Sequence, residues 1–308
     1  MCLREWGSVM TNSSSIQLES FELTMGDIAK ADVDALHALS LSVSWPHRAE
    51  DWQIVRELGQ GIVAHDSIGR VLGSAMLFDF GPYFATIGMV ITSPRLQALG
   101  TGRWMMDHII AQTGSRPLGL NATRSSKRLY QSLGFNAEQV VYQCQGEAIA
   151  PPAELLPPGT RLRPIVEADL AEVAALDLAA YGADRTLLLQ RLIAISEGLA
   201  LVQGDNMVAF ALCRRFGRGH VIGPVVAMGD EEAIAVVRPY VAERAGGFLR
   251  LDTRQQTGPF PQFLMRSGLA IHDTVTSMSL RQVWLHGDGR PPADGKPLTY
   301  GLASQALG

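Results

Sequence analysis

Cysteine is scarce in this chain: Cys2, Cys144 and Cys213 are the three in 308 residues. They form no even-numbered disulfide framework and have no metal-ligand spacing, so no metal site is expected and a reduced, cytoplasmic compartment is the simplest expectation. Basic charge is not in excess either, with 26 Lys and Arg against 30 Asp and Glu and a formal net charge of −4. That balance argues against bulk attraction to nucleic acid or to an anionic membrane. No uninterrupted apolar run approaches the ~18 residues of a transmembrane helix. The opening MCLREWGSVMTNSSS lacks the apolar core of a secretory signal. With 47% hydrophobic and 18% charged residues, the composition is that of a folded, soluble protein.

What is there divides in two. GEAIAPPAELLPPGT carries two proline pairs and no apolar period, and reads as a linker. The expected division is a loose leader over 1–15, a first domain over 16–147, a linker over 148–159, a second domain over 160–282 and a tail over 283–308 that packs back onto the body. The periodicity of the first half predicts strands over 16–23, 61–66, 70–80 and 84–92, with a helix over 26–41. TGRWMMDHIIAQTG then reads as a helix, PLGLN as a strand, RSSKRLYQSL as a helix and FNAEQVVYQC as a last strand. The second half repeats this order, and LALVQGDNMVAFALC matches GIVAHDSIGRVLGSAML in layout. An internal duplication of domain size is the economical explanation. The fold class is α+β: two similar domains in tandem, each a mixed, mostly antiparallel sheet flanked by helices.

RLQALGTGRW sits between the apolar strand FATIGMVIT and a helix. A helix start presents unpaired N–H groups and partial positive charge, which suits an anion. Gly100 and Gly102 let a phosphate approach the backbone and allow positive φ. Thr101 adds a hydroxyl, and Gln97 lies far enough upstream to close over a bound group. Alone, such a G-x-G is also a plain helix entry. No G-x-x-x-x-G-K-[ST] is present, which removes P-loop chemistry. Arg103, Trp104 and Met105 stand where a dinucleotide fold needs its third glycine, and Asn121 stands where its acidic ribose partner is expected.

NATRSSKRLYQSLGF changes the balance. Arg124, Lys127 and Arg128 stand in it with no acidic residue, Leu129 and Leu133 seat one helix face, and a Gly-Phe exit follows. Taken with the glycine loop, the chain resembles the GNAT acyltransferase superfamily. Q-A-L-G-T-G fits that family's R/Q-x-x-G-x-G/A loop, and Asn121 followed by Leu129-Tyr130 and Gly134-Phe135 fits its second motif. The resemblance covers about residues 16–144 and implies acetyl-coenzyme A as co-substrate. It places the pyrophosphate on the amides from Ala98 and Leu99 through Gly100, Thr101 and Gly102 to Arg103, with Gln97 as a further cofactor contact. The pantetheine arm would run beside Met89, Val90 and Ile91 as an added strand. Asn121, Ser126 and Arg128 match further cofactor contacts, and Tyr130 matches the acid that protonates the departing thiolate.

For the acceptor, SWPHRAEDW offers aromatic walls and charges of both signs in Trp45, His47, Arg48, Asp51 and Trp52. A local alternative is a helix begun at Pro46 and stapled to the core by Trp45. The strand before the loop has no carboxylate to act as base. Asp79 and His47 are the candidates, with a water-relayed path equally open. The resemblance implies an N-acetyltransferase acting on a small-molecule primary amine by direct transfer, as a monomer or homodimer. A protein lysine or N-terminus is the alternative acceptor. A non-catalytic acyl-coenzyme A sensor is the reading of another class. Where the first half has QALGTG the second has AMGDEEA, whose acids repel a pyrophosphate, and Leu264 falls where Tyr130 would be. The second half therefore reads as a degenerate copy, and WPHRAEDW resembles a bacterial subgroup built this way.

Overall fold

The structure, a computed structural model, describes residues 14–18, 21–284 and 295–308; most of the expected leader and residues 285–294 of the expected tail lie outside these. The first half runs β1 (Ser15–Leu18), β2 (Phe21–Asp27), α1 (Val33–Ser42), α2 (Ala49–Leu58), β3 (Gln60–His65), β4 (Val71–Phe80), β5 (Phe84–Thr92), α3 (Thr101–Ala111), β6 (Leu118–Ala122), α4 (Lys127–Ser132) and β7 (Asn136–Glu147). The second half runs β8 (Thr160–Pro164), α5 (Leu170–Tyr181), α6 (Thr186–Ile195), β9 (Glu197–Gln203), β10 (Asn206–Phe216), β11 (Gly219–Ala227), α7 (Asp230–Glu243), β12 (Phe248–Thr253), α8 (Pro259–Arg266) and β13 (Ala270–Leu280). A last strand, β14 (Leu298–Gly301), follows. From β2 to β7 and from β8 to β13 the two element orders are identical, so the chain is two copies of one α+β unit.

The strands form one sheet in the order β1-β2-β3-β4-β5-β6-β13-β7-β12-β11-β10-β9-β8. The closing strands are exchanged. β7, from the first half, pairs with β12 of the second, while β13 pairs with β6 of the first. β7 and β13 also pair with each other along most of their length, Ala270 opposite Gln145 and Ser279 opposite Asn136. Parallel pairing occurs at equivalent places in the two copies, β5 with β6 and β11 with β12.

One face of this sheet carries α3 and α4 over the first half, with Met105, Ile109 and Tyr130 in the core. On the second half α7 and α8 take that place, with Val236, Tyr240 and Leu264. The opposite face is a single core shared by both halves: Leu36, Leu39 and Trp52 of α1 and α2 meet Val173, Leu188 and Leu192 of α5 and α6, along with Ala303 and Leu307 of the tail. The two copies therefore cannot be separated without opening this shared core. No helix among the described residues is long and apolar enough to cross a membrane.

Several elements differ from expectation. The run 16–23 is two antiparallel strands, with Ile16 opposite Leu23. The helix expected over 26–41 begins only at Asp32, whose carboxylate caps it by accepting from the Asp34 amide at 3.3 Å. And α2 and α6 were not predicted as elements, α2 figuring only as the local alternative. Asp51 begins α2 by accepting from the Arg48 amide at 2.9 Å.

Candidate active site

Gly100 caps α3 at φ 95°, a left-handed conformation that costs glycine little. An added Cβ there would meet nothing within 4 Å, so it is the backbone angle and not space that requires glycine. Ala98 also has positive φ, at 65°. The first bond of α3 runs from the Trp104 amide to the Gly100 carbonyl at 3.0 Å, which leaves the first-turn amides outside the helical ladder. A Cβ on Gly102 would lie 3.3 Å from Leu129 of α4, so this glycine brings the start of α3 against the Tyr130 helix. Arg103 strengthens the contact through Ser132 Oγ at 3.2 Å.

Ahead of the loop, β5 carries a bulge. Ser74 of β4 pairs with Ile91 but Met76 pairs with Gly88, and Met89 between them has φ 50°. β5 and β6 pair only over Ala85–Ile87 and Leu118–Leu120, so beyond Ile87 the two strands diverge. Met89, Val90 and Ile91 follow on β5 beyond that divergence and lead toward the loop. The same opening exists in the second half, where β11 and β12 pair only at His220–Val221 and Leu249–Arg250. There the chain fills it with itself: β14 adds antiparallel to β11, Val225 opposite Gly301 and Ala227 opposite Leu298. An extended segment therefore fits this kind of opening. In the second copy that place is taken, and Asp230 accepts from the Phe260 amide at 3.3 Å beside the start of α7.

Tyr130 is buried in the core of its face, its ring 6.1 Å from that of Phe135 in an edge-on arrangement. Burial pushes its pKa up to about 12, opposed by a hydrogen bond with Ser126. Ser126 is fixed in turn by the Thr123 hydroxyl at 2.9 Å. A phenol in this setting keeps its proton across the working pH range. Arg128 projects from the exposed side of the same helix.

Several expectations are corrected by the geometry. The Thr101 hydroxyl is fully buried and without a partner among the described residues, so at this position the loop offers a ligand the amide and not the hydroxyl. Gln97 folds back onto the Thr92 carbonyl at 3.3 Å instead of standing over the loop. Asn121 is occupied by the chain itself: its amide donates to the Gln305 carbonyl at 2.8 Å, and its carbonyl accepts from Ser277 Oγ at 2.7 Å.

The acceptor candidates of SWPHRAEDW mostly build the contact between the halves. Trp52 is fully buried, with Nε1 donating to Ser40 Oγ at 3.2 Å. Asp51 accepts from Arg48 and from the Gly217 amide of the β10–β11 turn, at 2.7 and 3.0 Å. Arg48 also donates to the Arg215 carbonyl at 3.1 Å. His47 is enclosed by Trp45, Trp52 and Phe216, with ring centroids 5.7, 6.5 and 5.2 Å away. Burial lowers its pKa to about 4, which makes it a weak base. Asp79 lies apart from these, paired with Arg116 at 2.7 Å beside a surface hollow lined by Gln60 and Leu77. Cys144 and Cys213 are buried, their thiols pushed up to about 12, which does not suit a nucleophile.

The residues that sequence reasoning missed are those the tail brings in. Ala306 covers Gly88, where an added Cβ would lie 2.7 Å from its own, and its carbonyl accepts from Thr86 Oγ1 at 3.1 Å. Gln305 adds a bond to Gln143 at 3.2 Å. Only the apolar character of LTYGLASQALG hinted at this.

Comparison with known proteins finds acetyltransferase families in both halves. Residues 31–135 match a family model described as "Acetyltransferase (GNAT) family", and residues 173–288 match one described as "Acetyltransferase (GNAT) domain". The chain is 27% identical over 288 residues to the uncharacterized N-acetyltransferase YitH of Bacillus subtilis (strain 168), covering 90% of this chain and 95% of the relative. In fold it is similar to a putative acetyltransferase from Pyrococcus horikoshii, with TM-score 0.76, 16% identity and 97% and 99% of the two chains covered. It is also similar to a tandem GNAT protein from the clavulanic acid biosynthesis pathway, with TM-score 0.62, 14% identity and coverage of 84% and 98%.

Proposed function

We propose, from the premise that this chain belongs to the GNAT acetyltransferase superfamily and carries two of its domains in tandem, that its N-terminal half moves an acetyl group from acetyl-coenzyme A to a small primary amine. The family typically uses acyl-coenzyme A. The observation that carries the reading is the opening along β5 beyond Ile87, which leads to the free amides at the start of α3. The equivalent opening in the second half takes β14 as an added strand, which supports an extended pantetheine arm in the first. The diphosphate would rest on the amides from Gly100 to Arg103, where the helix dipole favours negative charge.

In this reading the neutral amine attacks the thioester carbonyl directly, a C–N bond forms, and the C–S bond breaks. The electron pair leaves on sulfur, Tyr130 gives its phenolic proton to the thiolate, and the phenolate regains a proton from solvent. The ammonium proton passes to water, since His47 and Asp79 are placed elsewhere. Burial of the acceptor side by Ala306 and Gln305 supports a small acceptor over a protein lysine.

The test is thermal stability with saturating acetyl-coenzyme A, followed by free-thiol release across a panel of amines. A raised midpoint with thiol release on a small amine is the expected result. An unmoved midpoint overturns the cofactor assignment, and tight binding with no thiol release for any amine favours the sensor.

A further inference from the structure

Among the described residues, three of the buried donors that find no acceptor lie together. They are Nη2 of Arg254, Nε1 of Trp284 and the hydroxyl of Tyr181, all on residues at least nine-tenths buried. The Arg254 guanidinium lies 5.1 Å from the centre of the Trp284 ring, and the Tyr181 and Trp284 rings stand 5.9 Å apart at 73°. They come from three separate places in the chain: the residue after β12, the end of α5 and the segment after β13. Buried polar groups are normally paired, and an unpaired buried cation is costly.

Neighbouring arginines are provided for. Arg185 is held by Asp177 at 2.6 Å and Arg250 by Asp252 at 2.7 Å. Among the described residues no carboxylate lies within ion-pair distance of Arg254, whose one hydrogen bond is a long contact to Ser277 Oγ at 3.5 Å. Glu138, the carboxylate whose charge acts on it, accepts from the Trp284 amide at 2.7 Å. Burial lowers the Arg254 pKa to about 10, in keeping with a cation that lacks its counter-charge. Three donors left without an acceptor, one of them charged, fit an oxyanion.

Its location connects it with the first half's opening. Trp284 packs on Gly119 of β6, and its ring lies 5.3 Å from Phe84 of β5, at the root where these strands still pair. Ser277, which Arg254 touches, donates to Asn121 on the open side of that root at 2.7 Å. We infer that Arg254, with Trp284 and Tyr181, holds a carboxylate of the acceptor, so that the amine acetylated is one that carries a carboxylate, of the amino-acid class. This rests on the placement of acetyl transfer at the β5–β6 opening. No bond is made or broken at Arg254; it is a binding residue.

The test compares wild type with Arg254→Gln and Arg254→Lys. α-Amino acids, their carboxamides and their decarboxylated amines are each offered with acetyl-coenzyme A, and thiol release is followed. The wild type should prefer the acids over the matched amides by about tenfold or more. Arg254→Gln should abolish that preference through KM for the acid, leave KM for acetyl-coenzyme A unchanged, and raise the thermal midpoint of the unliganded protein. Arg254→Lys should keep part of the preference. Equal use of acids and amides by the wild type, or a preference that survives Arg254→Gln, overturns the assignment, as does a lowered midpoint in that variant with the preference kept.

If no acceptor turns over, N-acetylglycine and N-acetylphenylalanine are titrated into the protein loaded with coenzyme A. A midpoint shift that depends on Arg254 upholds the carboxylate site, and no such shift overturns it. Inorganic phosphate serves as the competing oxyanion, and a larger Arg254-dependent shift with phosphate than with the carboxylates also overturns it. Loss of the acetyl-coenzyme A shift itself, in wild type and variants alike, overturns the placement of acetyl transfer instead.

Discussion

Ser74 Oγ donates to the carbonyl of Met89 at 2.7 Å, and this bond between β4 and β5 holds the bulge that opens the sheet. Both residues are buried, and Met89 keeps a φ that side chains rarely adopt. Ser74→Ala leaves that carbonyl unpaired, at a cost of about 1–2 kcal/mol in stability. It is also expected to raise KM for acetyl-coenzyme A more than it lowers kcat, because the strand edge that would pair with the pantetheine shifts. Urea unfolding and steady-state kinetics on one preparation check both effects. An unchanged KM with lowered stability would separate the bulge from cofactor binding.

Tyr130→Phe removes the hydroxyl and little else, since the ring packs in an apolar core. The expected outcome is a fall in kcat of about 10²–10⁴ with binding of acetyl-coenzyme A nearly unchanged. Because the wild-type phenol is pushed up to about 12, kcat should show no alkaline loss below about pH 10 that the variant abolishes. A pH profile of both proteins decides it.

His47 affects stability against pH. Its folded pKa is lowered to about 4 from an ordinary 6.5, so between these values the unfolded chain binds the proton and the folded one does not. Stability that is fully present above pH 6.5 is therefore lost as pH falls toward 4. The loss is about 2 kcal/mol, less than the full linkage because the ring is partly exposed. His47→Gln should flatten this acid limb, measured by urea unfolding at several pH values.

Asp177 and Arg185 form an ion pair with both side chains at 0% exposure, and Arg185 also donates to the Gly308 backbone oxygen at 2.6 Å. Removing either partner alone, as in Asp177→Leu or Arg185→Leu, leaves a buried charge and should cost about 3–5 kcal/mol. The double variant should cost clearly less than the sum of the two. Denaturant midpoints of the four proteins in the cycle measure the coupling.

Much of this is legible in the sequence itself. The strand FATIGMVIT, the loop QALGTG and the helix of Tyr130 are local features, and their order survives because propensity, apolar period and glycine placement agree there. The duplication was legible for the same reason, as a repeated local layout. The acceptor residues fared differently. Trp52, Asp51 and His47 stand among aromatic and charged residues that crowd one short stretch, and crowding in sequence does not say which partner each finds. Asp51 meets the Gly217 amide and His47 meets Phe216, both some 170 residues away. Nothing local announces such contacts.

By itself the sequence determined the two copies of one α+β unit and the glycine-flanked helix start in the first copy. It also set the acids that mark the second copy as different, because each of these is written in adjacent residues. Only the tertiary structure decided that β7 and β13 change places, that β14 fills the second opening, and that Arg254, Trp284 and Tyr181 lie side by side. Those outcomes depend on which distant strands pair and which side chains share one buried volume, and pairing across such separations leaves no period in the chain.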